Sequence, residues 1–261
     1  MTPLLRLDRY GVTYPGQAEP AVAGISLALR PGEKLAVIGE SGSGKSTLAL
    51  AIAGLLPPRS RTGGRLDWPA LGAPARPGAD FGIVFQDPGA SLNPVLRIGE
   101  QVAEAAQRHL GLGWAGAGRH AADLLARLRI PEPEAAMRAY PHQFSGGQRQ
   151  RIAIAAAIAA RPRLLIADEA TSALDMIVQA EIVALLDRLV ADEGMALLFV
   201  THDIALAARL ADRIAVMHRA RLVELAPTAD LLASPSADYT RHLLGTHIDL
   251  GAPPRLAARP A

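Results

Sequence analysis

Short apolar runs alternate along the chain with longer segments whose apolar positions follow a helical period. The short runs predict β-strands and the longer segments predict α-helices. The predicted strands are Leu35–Ile38, Ile83–Phe85, Leu164–Ala167, Leu197–Val200 and Ile214–Met217. The predicted helices are Ser46–Leu56, Ile98–Arg108, Arg119–Arg129, Gly147–Ala160, Ile177–Glu193 and Ile204–Ala211.

The order of these elements predicts an α/β fold with a mostly parallel sheet, because strands and helices alternate on both sides of the middle of the chain. Residues from about 88 to 160 carry only helical patterns, so we expect an inserted helical subdomain there. A single domain, residues 1–250, would then have its core in residues 1–87 and 161–250. Within the core, residues 57–82 are rich in Pro, Gly and Arg and predict a loop with one edge strand. Residues 251–261 are predicted to be a disordered tail.

Composition narrows the class of protein. The chain has 261 residues, a formal net charge of +2 and no cysteine, which excludes disulfides, zinc–thiolate sites and iron–sulfur clusters. Basic residues are spread along the chain, so no nucleic-acid partner is expected. The start of the sequence lacks an apolar signal segment, and the longest apolar run is far below the roughly 20 residues of a spanning helix. We therefore expect a soluble, cytoplasmic chain that meets a membrane only through partners.

A glycine-rich stretch from Gly39 to Thr47 follows the first predicted strand and precedes a predicted helix. It reads GESGSGKST and fits the phosphate-binding pattern G-x-x-x-x-G-K-[ST], in the strand-to-helix context that the pattern requires. Glycines let backbone N–H groups crowd around phosphate oxygens, and the helix start adds partial positive charge. Lys45 is one of only two lysines in an arginine-rich chain, so a compact ammonium is indicated there. Ser46 offers its hydroxyl to Mg²⁺.

An apolar strand ends in two carboxylates at Leu164–Glu169, which reads LLIADE. Asp168 is placed to support Mg²⁺, and Glu169 to polarise an attacking water. These two stretches predict a P-loop NTPase, which leaves a kinase, a GTPase and a motor open.

A second glycine loop, SGGQ at Ser145–Gln148, begins a predicted helix 23 residues before Asp168. It resembles the signature motif of the ATP-binding cassette (ABC) ATPases. Other motifs of that family lie in the family's order along the chain: Tyr14 in VTYPG resembles the adenine-stacking aromatic, Gln86 in IVFQDP the Q-loop, Ser172–Asp175 the D-loop and His202 in FVTHD the switch histidine. The resemblance covers roughly residues 4–245.

This resemblance implies a RecA-like core, an N-terminal antiparallel β layer and a helical subdomain. The residues that it assigns to ATP are Tyr14, Gly39, Ser41, Gly42, Ser43, Gly44, Lys45, Ser46 and Thr47 in the chain itself, and Ser145, Gly146, Gly147, Gln148 and Asp175 across a head-to-tail dimer. Those that it assigns to Mg²⁺ are Ser46, Gln86 and Asp168. Glu169 would act as the base, His202 would sense the γ-phosphate, and Gln86 would contact the metal or water.

Two stretches resemble the peptide and nickel importers of the family: FQDPGASLNP at Phe85–Pro94 and DYTRHLL at Asp238–Leu244. The resemblance implies a second, commonly different ATPase subunit, two permeases, a solute-binding protein outside the cell, and a place at the cytoplasmic face of the membrane. The solute would be a peptide, nickel or a metallophore. Ala220 departs from the branch's hairpin glycine and predicts a less tight turn at Arg219–Ala220. A soluble ABC ATPase of DNA repair or translation, and an exporter ATPase, remain the alternatives.

Overall fold

The computed structural model describes residues 2–170 and 175–251. Its first layer is a three-stranded antiparallel sheet in the order β2-β1-β4. The strands are β1 (Leu5–Thr13), β2 (Val22–Leu29) and β4 (Arg61–Asp67). β1 is the central strand and pairs with both neighbours. The predicted edge strand within residues 57–82 is β4.

The second layer is a six-stranded sheet in the order β5-β6-β7-β3-β8-β9. The strands are β3 (Lys34–Ile38), β5 (Phe81–Val84), β6 (Leu164–Asp168), β7 (Ala196–Val200), β8 (Arg213–His218) and β9 (Arg221–Pro227). The first five in spatial order are parallel, and β9 runs antiparallel to β8 at the edge. β6 and β7 are buried along their whole length, as expected for parallel strands covered on both faces.

Helices cover this sheet and build the region between β5 and β6. Those that follow strands of the sheet are α1 (Lys45–Ile52), α7 (Met176–Glu193), α8 (Ile204–Leu210), α9 (Thr228–Ala233) and α10 (Asp238–Gly251). Those between β5 and β6 are α2 (Pro88–Ser91), α3 (Ile98–His109), α4 (Trp114–Arg127), α5 (Pro133–Ala136) and α6 (Gly146–Ile158), with one 3₁₀ turn at Pro141–Gln143. Residues 88–160 thus hold helices and connecting segments; their division from the core as a subdomain stays a prediction.

Two apolar cores lie on opposite faces of the parallel sheet. Alternate residues of β3 point to opposite cores, with Leu35 and Val37 in one and Ala36 and Ile38 in the other. The first core joins the antiparallel layer and α1, and the second joins α7, α8 and the helices α3, α4 and α6. The helical region is therefore packed onto the sheet through a continuous core.

Three predicted boundaries or turns are wrong. α1 ends at Ile52 and not at Leu56, because Gly54 takes a left-handed φ of 70° and the Leu55 N–H turns back to Leu50 O at 2.8 Å. α4 begins at Trp114, five residues before the predicted start, because Ala117 and Ala121 are buried against neighbouring helices despite two weakly helical glycines.

The Arg219–Ala220 turn is tight rather than loose. His218 pairs directly with Arg221, so only two residues connect β8 to β9. Their φ values are 45° and 65°, the positive angles that a type I′ hairpin requires. Neither residue is a glycine, so both take a strained backbone conformation.

Candidate functional site

The glycine loop between β3 and α1 admits no side chain at its two ends. A Cβ on Gly39, at φ 151°, would lie 2.1 Å from Met217 O. A Cβ on Gly44, at φ 101°, would lie 2.2 Å from Ala21 O. Backbone carbonyl groups of β8 and of the residue before β2 therefore lie against the loop, and only glycine fits at these two positions. Ser41 and Gly42 lie exposed at the tip of the loop.

Lys45 is buried at the first position of α1, with 4% of its surface exposed. Its Nζ donates to Gly39 O and to Glu40 O, both at 2.9 Å. Burial lowers the pKa of Lys45, and the carboxylates of Glu169 and Asp168 oppose that effect. The ammonium is thus held inside the curve of the loop, beside two carboxylates.

Ser46 and Asp168 meet across the gap between α1 and β6. Ser46 Oγ donates to Asp168 Oδ1 at 3.0 Å. Burial raises the pKa of Asp168, and the Ser46 hydrogen bond acts against that rise. A hydroxyl and a buried carboxylate are hard oxygen donors of the kind that Mg²⁺ prefers, so these two groups fit the predicted metal.

Glu169 and His202 extend the same edge of the sheet. Glu169 follows β6, and its N–H donates to Val200 O of β7 at 2.9 Å. Its Oε2 lies 3.7 Å from His202 Nδ1, and the His202 side chain is 57% exposed. Glu169 has a φ of 46°, a strained value for a residue with a side chain. The Glu169 carboxylate is near enough to Lys45 for its charge to act on the ammonium.

Two hydroxyls complete the first loop. Tyr14 OH lies 3.0 Å from Thr47 Oγ1, so the chain after β1 is held against α1. Ser43 Oγ is buried and has no hydrogen-bond partner in the described chain. An orphaned buried hydroxyl inside a glycine loop is expected where a ligand supplies the missing partner, and a phosphate oxygen is such a ligand.

The second glycine loop lies at the start of α6. Ser145 caps this helix: its Oγ accepts from Gln148 N at 3.3 Å, and its N–H donates to Gln148 Oε1 at 2.9 Å. A Cβ on Gly147 would lie 2.9 Å from Val178 Cγ1, so this glycine permits close packing of α6 on α7. Gly146 is the first residue of the helix. In the described ranges, the side-chain hydrogen bonds of Ser145 and Gln148 stay within this first turn and do not reach the Lys45 loop.

Asp175 and Gln86 are the two remaining predicted site residues. Asp175 caps α7, with Oδ1 accepting from Ile177 N at 3.1 Å and Val178 N at 3.0 Å. The other predicted D-loop residues, 172–174, lie outside the described residues. Gln86 is exposed just after β5.

The structure also places residues at the loop that sequence reasoning missed. The hairpin residue Ala220 donates its N–H to Ser43 O at 3.1 Å, and Tyr239 OH of α10 accepts from Glu40 N at 3.3 Å. A separate apolar cavity of about 710 Å³ lies between the end of α1 and β4, lined in part by Trp68 and Phe81. None of the predicted site residues lines it.

A mostly parallel sheet with a glycine loop and a buried lysine at its carboxyl edge defines a P-loop NTPase. The family description "ABC transporter" matches residues 22–172. The chain belongs to the ABC transporter family. Among the helices in the described ranges, none is long and apolar enough to cross a membrane.

Curated relatives confirm the resemblance to peptide importers. The dipeptide transport ATP-binding protein DppD of Bacillus subtilis is 39% identical over 95% of this chain and 80% of its own length. The peptidoglycan transport protein YejF of Agrobacterium fabrum is 42% identical, over 97% of this chain and 48% of its own. The oligopeptide transport protein OppD of Mycobacterium tuberculosis is 42% identical, over 98% and 46%. The chain thus spans about half the length of the last two relatives.

Solved structures confirm the α/β fold. CbiO1 from Clostridium perfringens, part of the ABC transporter complex cbiONQ, has a TM-score of 0.74 at 27% identity, covering 90% of this chain and 92% of that one. The dimeric bacterial ABC transporter cassette MJ0796 has a TM-score of 0.71 at 28% identity, covering 86% and 98%. A second structure of that cassette is bound to ADP and Pi.

Proposed function

We propose that this chain is the ATP-hydrolysing subunit of an ABC importer that takes up a small solute of the peptide class. The observation that carries the proposal is a meeting of three groups at one sheet edge: buried Lys45, the Ser46–Asp168 pair and the Glu169–His202 pair. They follow β3, β6 and β7, which are neighbours in the sheet. The names of the relatives support a peptide solute, including the glutathione import protein GsiA of Salmonella typhimurium.

ATP would bind with its phosphates in the Gly39–Thr47 loop and its adenine against Tyr14. The support is a preformed loop: the two glycine ends admit no side chain, and Lys45 is already fixed on Gly39 O and Glu40 O. Because the chain's own carbonyl groups hold the ammonium, ATP binding would have to order little of the loop. Ser43 Oγ would gain its missing partner from a phosphate oxygen.

Mg²⁺ would be held by Ser46 and Gln86, with Asp168 in support. When bound, the ion supplies positive charge to the β- and γ-phosphate oxygens. Burial disfavours the charged form of Asp168 in the protein alone, so a nearby cation would restore the carboxylate form. The exposed Gln86 would reach the site from the end of β5.

Glu169 would accept a proton from the water that attacks the γ-phosphate, and His202 would contact that phosphate. The 3.7 Å between Glu169 Oε2 and His202 Nδ1 supports joint action on one phosphate group. The strained φ of Glu169 supports a role in which the direction of its side chain matters.

A second ATPase subunit would complete each nucleotide site. Ser145–Gln148 form a helix N-terminus, which favours an anion. Asp175 stands beside two exposed apolar side chains, Met176 at 84% and Ile177 at 75%. Exposed apolar groups beside a helix start support a protein interface on this face.

Two permeases would dock on the helical region at the cytoplasmic face of the membrane. The region exposes Val95 at 76%, Leu96 at 41% and Trp114 at 59%. Aromatic and aliphatic anchors of this kind are typical of protein interfaces. A solute-binding protein outside the cell would act on the permeases and not on this chain.

The two lysines of the chain provide a matched test of ATP binding. Lys45→Ala should abolish binding of a non-hydrolysable ATP analogue, measured by calorimetry with Mg²⁺. Lys34→Ala removes only a partly exposed ion pair with Asp187 and should leave the affinity unchanged. Equal affinity in both variants would refute the assignment of the loop.

A further inference from the structure

The DYTRHLL stretch forms the start of α10, and one of its residues reaches the nucleotide loop. Tyr239 OH accepts a hydrogen bond from Glu40 N at 3.3 Å. The Tyr239 ring stacks on His218, with 3.9 Å between the ring centroids and 30° between the planes. Burial raises the pKa of Tyr239, so its hydroxyl stays neutral. The resemblance to importer tails gave this tyrosine no task at the loop.

Glu40 links Tyr239 to the lysine of the site. Its N–H faces Tyr239, and its carbonyl oxygen accepts from Lys45 Nζ at 2.9 Å. A tyrosine that fixes the position of Glu40 therefore also fixes one of the two carbonyl groups that hold the lysine ammonium. Tyr239 would therefore act on the phosphate site indirectly, through Glu40.

Residues next to the stack of Tyr239 on His218 also hold the other end of the loop. The hairpin residue Ala220 donates to Ser43 O at 3.1 Å, and His218 is the last residue of β8 before that hairpin. Because Tyr239 stacks on His218, the contacts at Glu40 and at Ser43 belong to one connected unit. This unit lies on the β8 side of the loop, opposite the β6 and β7 side that carries Glu169 and His202.

The start of α10 is itself firmly placed. The Glu224 carboxylate of β9 accepts N–H bonds from Ser236 at 2.8 Å and from Ala237 at 3.1 Å. Leu243 and Leu244 are buried in the larger core. The tyrosine is thus presented by a helix that is anchored on both sides of it.

We propose that Tyr239 is a positioning residue for the nucleotide loop, and that through it α10 sets the affinity of the chain for ATP. The inference rests on the proposed ATP binding. It assigns to α10 a role in the loop's geometry and none in the hydrolytic step. A displacement of α10 would weaken ATP binding without touching Glu169.

Three variants of the full chain test this. Tyr239→Phe keeps the stack on His218 and removes the hydroxyl, and Tyr239→Leu removes both. Tyr140→Phe is the matched control, because Tyr140 also stacks on a histidine, His142, in the segment before α6. The Kd for a non-hydrolysable ATP analogue is measured by calorimetry, with amide exchange at Glu40 and the melting temperature on the same samples.

Tyr239→Phe should raise the Kd about threefold and speed exchange at Glu40, and Tyr239→Leu should raise the Kd about tenfold. Tyr140→Phe should change neither quantity. A Kd and a Glu40 exchange rate equal to wild type in both Tyr239 variants would overturn the inference, whatever the melting temperature does. If the wild-type chain bound no nucleotide, the proposed function would fail, while exchange at Glu40 would still report on the Tyr239 contact.

Discussion

Glu169 combines two features that single it out among the acidic residues: a left-handed backbone and a side chain beside His202. A residue in that conformation costs about 1–3 kcal/mol, which the surrounding structure must offset. The fixed N–H bond to Val200 O and the buried neighbours of β6 supply that support. Such strain is typical of residues at functional sites, where the direction of a side chain matters.

Glu169→Gln should lower kcat for ATP hydrolysis by about 10²–10⁴-fold, because an amide cannot accept the proton of the attacking water. Nucleotide affinity should stay within about twofold, since Lys45 and the loop are unchanged. Phosphate release and analogue binding measure the two effects. Glu134→Gln, on the exposed face of α5, is the control and should hydrolyse ATP normally. Wild-type turnover in Glu169→Gln would remove the glutamate from the role of base.

Ala220 offers a test of backbone strain that does not involve activity. At its φ of 65°, a Cβ costs about 1 kcal/mol that glycine avoids. Ala220→Gly should therefore raise the free energy of unfolding by about 0.5–1 kcal/mol and the melting temperature by a few degrees. Ala184→Gly, at a partly exposed position in the middle of α7, should do the reverse by a similar amount. Destabilisation in both variants would mean that the hairpin is not strained.

At the scale of elements, α10 is attached to β9 through the Glu224 carboxylate. Burial alone would raise the pKa of Glu224, but the nearby Thr240 hydroxyl and the N–H bonds from Ser236 and Ala237 hold it below the ordinary 4.5. Since the folded-state pKa is depressed, this contribution to stability is present above pH 4.5 and is lost as pH falls through the folded value. The attachment of α10 is therefore strongest near neutral pH.

Glu224→Gln should lower the stability of the fold at pH 7, because a neutral amide oxygen is a weaker acceptor for two N–H groups. The loss relative to wild type should shrink as pH falls below 4.5, where the wild-type carboxyl becomes protonated as well. Urea denaturation of both proteins between pH 3 and pH 7 measures how the free energy of unfolding of each one changes with pH. A difference between the two proteins that stays constant over this range would show that the charge of Glu224 is irrelevant.

Elements whose signals are local could be predicted, and those set by distant contacts could not. The Gly39–Ser46 loop and the Leu164–Glu169 strand carry their patterns within a few residues, and the predicted strands lie within two residues of those in the structure. The Ala220 turn was missed because its strain is offset by contacts with Ser43 and Ala23 elsewhere in the chain. The Tyr239–Glu40 bond spans 199 residues and leaves no periodic signal in the sequence.

At the scale of the whole molecule, we propose two different sites for a phosphate in one chain. One is the loop before α1, with Lys45 and the carboxylates around it, and the other is the start of α6. In the described part of the chain, the second site makes its hydrogen bonds only with its own helix. If each chain supplies one half of two nucleotide sites, one molecule needs both loops.

The most direct test of this account is complementation between two variants in a mixed dimer. Lys45→Ala removes a chain's own loop. Ser145→Asp keeps a good helix cap and adds a charge that repels a γ-phosphate, while Ser145→Asn is the uncharged control. Differently tagged chains are mixed, and trapped photo-reactive ATP is measured on each. If the α6 start acts across the dimer, a Lys45→Ala chain paired with a Ser145→Asp chain regains one intact site, and the label is trapped on the Ser145→Asp chain alone. If both loops act within one chain, that mixed dimer has no intact site, and the absence of trapped label would contradict the account.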